Sequence, residues 1–278
     1  MILLALDTIT TASLLFIIAT GLLVIFGVLK IINFAHSAFL TLGAYATLVV
    51  TNLGINPWIA LPLAFVVGAL LGAVVERFIV QPLYDRPLDA ILATWGLGIV
   101  IGQVITLAFG REVQFTAAPI SGTLPILGET YSIYRLLLIA AALAIGLGFT
   151  ALIEKTRLGL SARAVIMNED LARGLGIDTS LVRLVTFALG AGLAALAGAL
   201  ITPLSSVDPN MGVPFLINAF MVVMVAGTSF LSLALATLVL GAAQVVVSSL
   251  VSPILGGMTI VVLAAVILRI RPKGFSFD

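Results

Sequence analysis

Cysteine is absent from the 278 residues, histidine occurs once, and acidic and basic side chains together make up 9% of the chain. Each shortage removes a class of function. Without cysteine there is no disulfide framework, thiol nucleophile or thiolate metal ligand. One histidine leaves almost no donor set for a transition metal. Soluble domains carry about a quarter charged residues. This chain has too few to cover a water-facing surface, so it is expected in a lipid bilayer. The net charge of +1 says nothing about nucleic acid, and no basic cluster suggests it, so no nucleic-acid partner is expected. No Gly-rich loop ending in Gly-Lys-Ser/Thr occurs, so the chain has no nucleotide-phosphate cradle of its own.

What is abundant is apolar: 62% of the residues. A spanning helix needs about 20 mainly apolar residues. That ruler marks nine candidates, over residues 3–29, 37–53, 57–75, 88–109, 134–153, 180–202, 214–229, 231–250 and 254–269. The expected fold is all-α, a polytopic membrane protein forming a single transmembrane domain over residues 1–278. Only "GTSFLS" separates the spans ending at 229 and beginning at 231, so one bent element is the alternative there. The first apolar run lacks a Lys/Arg start and is too long for a signal peptide; it reads as a retained span. With the N-terminus outside, eleven Lys and Arg fall inside and two, Arg111 and Arg135, outside, which accounts for all 13. The positive-inside rule therefore places the N-terminus outside and the C-terminus in the cytoplasm. Residues 110–132 form an external loop, and residues 154–178 a cytoplasmic one.

The cytoplasmic loop contains "NEDLARGLGID" (168–178), unusually charged for this chain. Ser161 to Arg173 reads as one short amphipathic helix. Ala164, Met167 and Leu171 share a face at i, i+3 and i+7, and Arg163, Glu169, Asp170 and Arg173 form a solvated rim. Gly174 and Gly176 supply the stop, and Asp178, Thr179 or Ser180 caps the next span. Such a helix either lies on the headgroups or docks a cytoplasmic partner.

"TRLGLSARAVIMNEDLARGLGID" followed by "LVRLVTFALGAGLAALAGAL" resembles the coupling loop of ABC importer permeases for branched-chain amino acids, urea and short amides. "GVLKIINFAHSAFLTLGAYA", "RPLDAILATWGLGIVIGQ", "DPNMG" and "RPKGF" agree in order, so the likeness covers nearly the whole chain. Where that family commonly continues NFAHG with an acidic residue, this chain has Ser37 and Ala38. The resemblance implies a transport subunit rather than an enzyme. It binds no cofactor itself, and ATP sits on partner subunits. The implied partners are a second permease, two cytoplasmic ATPase subunits and an external solute-binding protein. It also implies that residues 154–178 enter a groove of the ATPase, with Arg163, Ala164, Met167, Glu169, Leu171 and Gly174 as coupling candidates.

Asn33 and His36, three apart, fall on one helical face; they either satisfy a helix end or open a broken span that lines the solute path. Other polar side chains within spans include Thr41, Tyr45, Thr106, Gln244, Ser248 and Ser249, for which interhelical hydrogen bonding suffices. Asn33, His36, Ser37, Thr94, Trp95, Gln103 and Asn218 are the path-lining candidates. No charge falls near the middle of a span, which suits a neutral or zwitterionic solute and argues against ion-coupled transport. "RPLDAILATWG" and "INAFMVVMVAG" look closer to the urea and short-amide members, with branched-chain amino acids as the alternative. A stand-alone small-solute channel is the competing class, and it would not need the coupling loop. "GAGLAA" (190–195) and "GALLG" (68–72) are expected to serve close helix packing.

Overall fold

The computed structural model describes residues 2–275. Among them, the chain folds as α1 (Ile2–Leu29), α2 (His36–Asn52), α3 (Ala60–Val75), α4 (Pro87–Phe109), a hairpin of β1 (Thr123–Ile126) and β2 (Glu129–Ser132), then α5 (Ile133–Lys155), α6 (Arg157–Met167), α7 (Glu169–Gly174), α8 (Thr179–Ile201), α9 (Gly212–Ala226), α10 (Phe230–Leu250) and α11 (Pro253–Ile270). Each of the nine predicted spans coincides with a helix, and the protein is an all-α polytopic membrane protein. Seven helical stretches are long and apolar enough to cross a bilayer. α2, with 17 residues, and α9, with 15, are shorter. At about 1.5 Å per residue, α9 covers only about 22 Å of a hydrocarbon core about 30 Å thick.

The structure revises several boundaries. α3 does not end at the charges after Val75. It continues through a π turn, Glu76–Val80, and a 3-10 turn, Gln81–Leu83. The loop between α4 and α5 holds the β1–β2 hairpin, turned by Leu127 and Gly128 at φ 50° and 92°. Two positive φ values match the right-handed twist of a two-residue hairpin. The weak boundary near 229 is a real break: α9 ends at Ala226, Gly227 takes φ 76°, and α10 starts at Phe230.

Contacts divide the chain into two interleaved units. One comprises Gly21–Thr116 and Leu147–Val213. Its centre is α8 against α2 and α3. A Cβ on Gly68 would lie 2.5 Å from the Ala195 methyl, and one on Gly198 would collide with the Leu40 carbonyl. Small residues therefore let these backbones approach, as expected for "GALLG" and "GAGLAA". Phe39, Val75, Val80, Phe187, Ala191 and Ala194 fill the remaining space.

The other unit comprises the chain up to Thr20, Ala117–Gly146, and Pro214 onward. α10 packs on α11, where Gly256 meets Ser248, and Gly241 meets Ala12 of α1. The hairpin is tied to α1: the Tyr131 hydroxyl donates to Asp7 Oδ1 at 3.0 Å, and Arg135 pairs with the same oxygen at 2.7 Å. The "RPKGF" turn closes the gap between α9 and α10. Phe275 N–H donates to the Val225 carbonyl at 2.7 Å, and the Ser232 hydroxyl donates to the Phe275 carbonyl at 3.0 Å.

Candidate functional site

The first candidate region is the break between α1 and α2. Lys30 takes φ 56°, and residues 30–35 are not helical. Asn33 therefore precedes α2 instead of sharing a helical face with His36. Its Oδ1 accepts from the Ala35 N–H at 3.0 Å, while its Nδ2 is buried with no partner among the described residues. His36, the first residue of α2, is fully buried, and its ring lies against Gly21 of α1. Ser37 donates to the Phe34 carbonyl at 3.1 Å. From α4, the Thr94 hydroxyl accepts from the Phe34 N–H at 3.2 Å, and Trp95 stacks on the Phe34 ring at 6.0 Å. The fold thus gathers Asn33, His36, Ser37, Thr94 and Trp95 around the connection between α1 and α2, where loose backbone groups are satisfied by side chains. Gln103 is exposed further along α4. Asn218 is half-buried on α9 and belongs to the other unit.

The second region is the segment 154–178. The expected single helix is two. Asn168 adopts extended backbone, φ −161° and ψ 105°, which ends α6. Its Oδ1 then caps α7 by accepting from the Leu171 N–H at 2.9 Å. An asparagine that bonds the backbone locally competes with helix continuation. Gly176, at φ 85°, makes the turn after α7, and Asp178 caps α8 through the Leu181 N–H at 3.0 Å. Gly174 is the last residue of α7 and has no positive φ. The break also splits the predicted face. Ala164 packs inward on Ala162, Val165, Ala172 and Val182. Met167 is 86% exposed and Leu171 60%. Leu160 and Leu175 add to this outward apolar surface, and Arg163 is exposed beside it.

Glu169 is not a rim charge. Its side chain is 24% exposed; Oε1 accepts from Arg173 Nη2 at 3.1 Å, and Oε2 pairs with Arg183 of α8. Arg183 lies over the Tyr84 ring, 4.2 Å from its centroid. The Tyr84 hydroxyl donates to Oε1 of Glu76, which is fully buried in the π turn. Burial first, then the hydrogen bond and charge of Glu76, hold the Tyr84 phenol above its ordinary range, so it stays a donor. A parallel line runs from Arg77 Nη1 to Gln81 Oε1 at 2.9 Å and from Gln81 Nε2 to Ser180 Oγ at 2.8 Å. Glu76, Tyr84 and Arg183 escaped the sequence reading because a charge after an apolar run marks the end of a span. One signal was available: three polar side chains, Glu76, Gln81 and Tyr84, recur close together just after the span.

These geometries belong to a chain with known relatives. It is 28% identical over 236 residues to a probable branched-chain amino acid transport permease protein, LivH, of Methanocaldococcus jannaschii, covering 81% of this chain and 73% of that one. It is 26% identical over 283 residues to the high-affinity branched-chain amino acid transport system permease protein LivH of Escherichia coli K12, covering 96% and 92%. The structure of PsaBC from Streptococcus pneumoniae, solved with a Fab, superposes with a TM-score of 0.53 at 17% identity over 96% of this chain and 91% of that one, a likeness of fold. The family profile described as "Branched-chain amino acid transport system / permease component" matches residues 4–270, and the chain belongs to that family.

Proposed function

We propose that this ABC importer permease component, a multi-pass protein of the cell membrane, conducts a branched-chain amino acid. The names of its relatives carry that choice. The urea and short-amide reading rests on two short motifs, and neither relative is named for such a solute. An interior without mid-span charge suits a zwitterion as well as a neutral amide. The experiment is uptake by the complete reconstituted complex offered labelled leucine, urea and acetamide. Leucine uptake at least about tenfold above the amides supports the reading, a difference of about 1.4 kcal/mol. Preference for urea or acetamide sinks it.

Within the assembly, the chain would form its half of the path beside a second permease. An external binding protein would deliver the solute, and ATP would be held by two cytoplasmic subunits rather than by this chain. The break at residues 30–35 would line the path. α6 and α7 would dock the ATPase through Leu160, Met167, Leu171 and Leu175, an apolar surface that would otherwise face water. Leu171→Asp would place an unpaired charge in that interface, costing several kcal/mol. Its ATPase should fail to co-purify while the spans still insert; retention of the ATPase with full transport would end the docking proposal. Docking on this side requires the N-terminus outside. In this cysteine-free chain, a single cysteine at Ser121 should react with an impermeant maleimide from outside, and one at Ser161 only from inside.

A further inference from the structure

Glu76 is fully buried, and one of its carboxylate oxygens, Oε2, has no partner among the described residues. Burying a carboxyl group costs several kcal/mol unless it is paired, hydrogen-bonded or neutral, so its retention in a membrane segment points to a role. Neither solute passage nor ATPase docking, as proposed above, uses it. It occupies a π turn, a local defect of the kind that recurs at functional sites. It also ends a continuous run of side-chain contacts that starts at the docking helices. Exposure falls along that run, from 65% at Arg173 to 24% at Glu169 and 17% at Arg183, then to none at Glu76.

We propose that Glu76, Tyr84 and Arg183 form a positioning relay that holds α7, through Glu169, against the π turn of α3, so that movement at the docking surface reaches a membrane helix. The proposal rests on the docking reading above. Three observations carry it. First, α8 is gripped at Ser180 and Arg183, three residues apart and so on one face, and both contacts lead to the segment Glu76–Tyr84. Second, Arg183 pairs with Glu169 through Nη2 while lying over the Tyr84 ring, a double duty that suits a planar guanidinium and not an ammonium. Third, Glu76 opens the π turn Glu76–Val80, and a π turn is an α-helical defect whose alternative is the α register. Relaxing to α hydrogen bonding would rotate the following residues by about 100° around the helix axis. Tyr84 lies just beyond that turn, so its bond to Glu76 favours one arrangement over the other. A two-state element biased from a distant surface is what mechanical coupling requires.

The test uses the complex reconstituted with its ATPase and binding-protein partners. Tyr84→Phe keeps the ring and loses the hydroxyl; Arg183→Lys keeps the charge and loses the stack. Both should retain the ATPase and basal hydrolysis within about twofold, while solute moved per ATP falls about tenfold. Glu76→Leu should match them. Glu76→Gln, which still offers an oxygen to Tyr84, should stay within about threefold of the parent. A merely structural role would lower binding, hydrolysis and transport together, and that outcome overturns the relay. So does parental transport per ATP in Tyr84→Phe and Arg183→Lys. Leu171→Asp is run alongside. If it loses the ATPase while the relay variants behave as the parent, docking stands and the relay falls. If it keeps the ATPase, the docking reading fails, and spin labels decide the relay alone. Placed at Phe78→Cys and Asp170→Cys, both exposed, they should give a broader distance distribution in Tyr84→Phe. An unchanged distribution rejects the relay.

Discussion

α5 and α8 are each 23 residues long and equally able to cross a bilayer, yet one buries few of its residues and the other most of them. α8 buries fifteen residues and α5 three, Tyr134, Leu138 and Ala142. Overall hydrophobicity does not separate them. What does is whether the small residues meet a neighbouring backbone, as Gly190, Gly192 and Gly198 of α8 do and Gly146 and Gly148 of α5 do not. In α8, Gly190, Ala191, Gly192, Ala194, Ala195, Ala197, Gly198 and Ala199 fall close enough together that several of its faces admit a neighbouring backbone. In α5, Leu143 and Leu147 stand outward at 62% and 72% exposure, and a Cβ on Gly148 would meet nothing within 4 Å. Between apolar helices in lipid, no hydrophobic gain decides the contact, so close approach does.

The largest effect that could break this comparison is expected at Gly198→Leu. A side chain there must displace the Leu40 backbone, and overpacking that cannot relax costs more than the usual 1–3 kcal/mol, roughly. The variant should yield no monodisperse protein in detergent; normal yield and melting would refute the account of α8. Next comes Leu138→Ala on the buried side of α5, fully enclosed, with an expected loss of about 2–5 kcal/mol. Thermal melting of the purified protein measures it, and a loss below about 1 kcal/mol would mean that α5 has no packed face. The smallest effect is Gly148→Ala. With open space around it, the change should be neutral or stabilising by up to about 1 kcal/mol, opposite in sign to any added side chain at Gly198. Destabilisation there would show that α5 is tightly covered.

Much of the fold was legible because its elements are long. Nine apolar runs became nine helices, and the weak boundary after Ala226 resolved into two helices because Gly227 takes a left-handed conformation. Errors fell where local chemistry overrode composition. Asn168 looked like one more helical position, but its side chain caps the next turn and cuts the helix in two. Glu76 and Arg77 looked like the end of a span, but the backbone continued past them through a π turn. Of the candidate site residues, Asn33, His36, Ser37, Thr94 and Trp95 converge because the chain breaks at residues 30–35 and α4 returns Thr94 to Phe34. Gln103 and Asn218 share only their polarity with that group, and polarity alone carries no position.

Composition and apolar run length by themselves determined the solvent of this protein and where its long helices lie, and its motifs pointed to its family. A bilayer core admits only segments whose backbone groups are internally bonded, so apolar run length is enough to write down the helices. Tertiary structure decided which helices are buried, how the segment 154–178 divides, and that the buried carboxyl of Glu76 is linked to Glu169 of α7 through Tyr84 and Arg183. Those are matters of which side chains meet across up to about a hundred residues of sequence, as Glu76, Tyr84 and Arg183 do. Local pattern cannot encode such meetings, because a hydrogen bond or a stacked ring depends on angstrom-scale approach that only the folded backbone supplies.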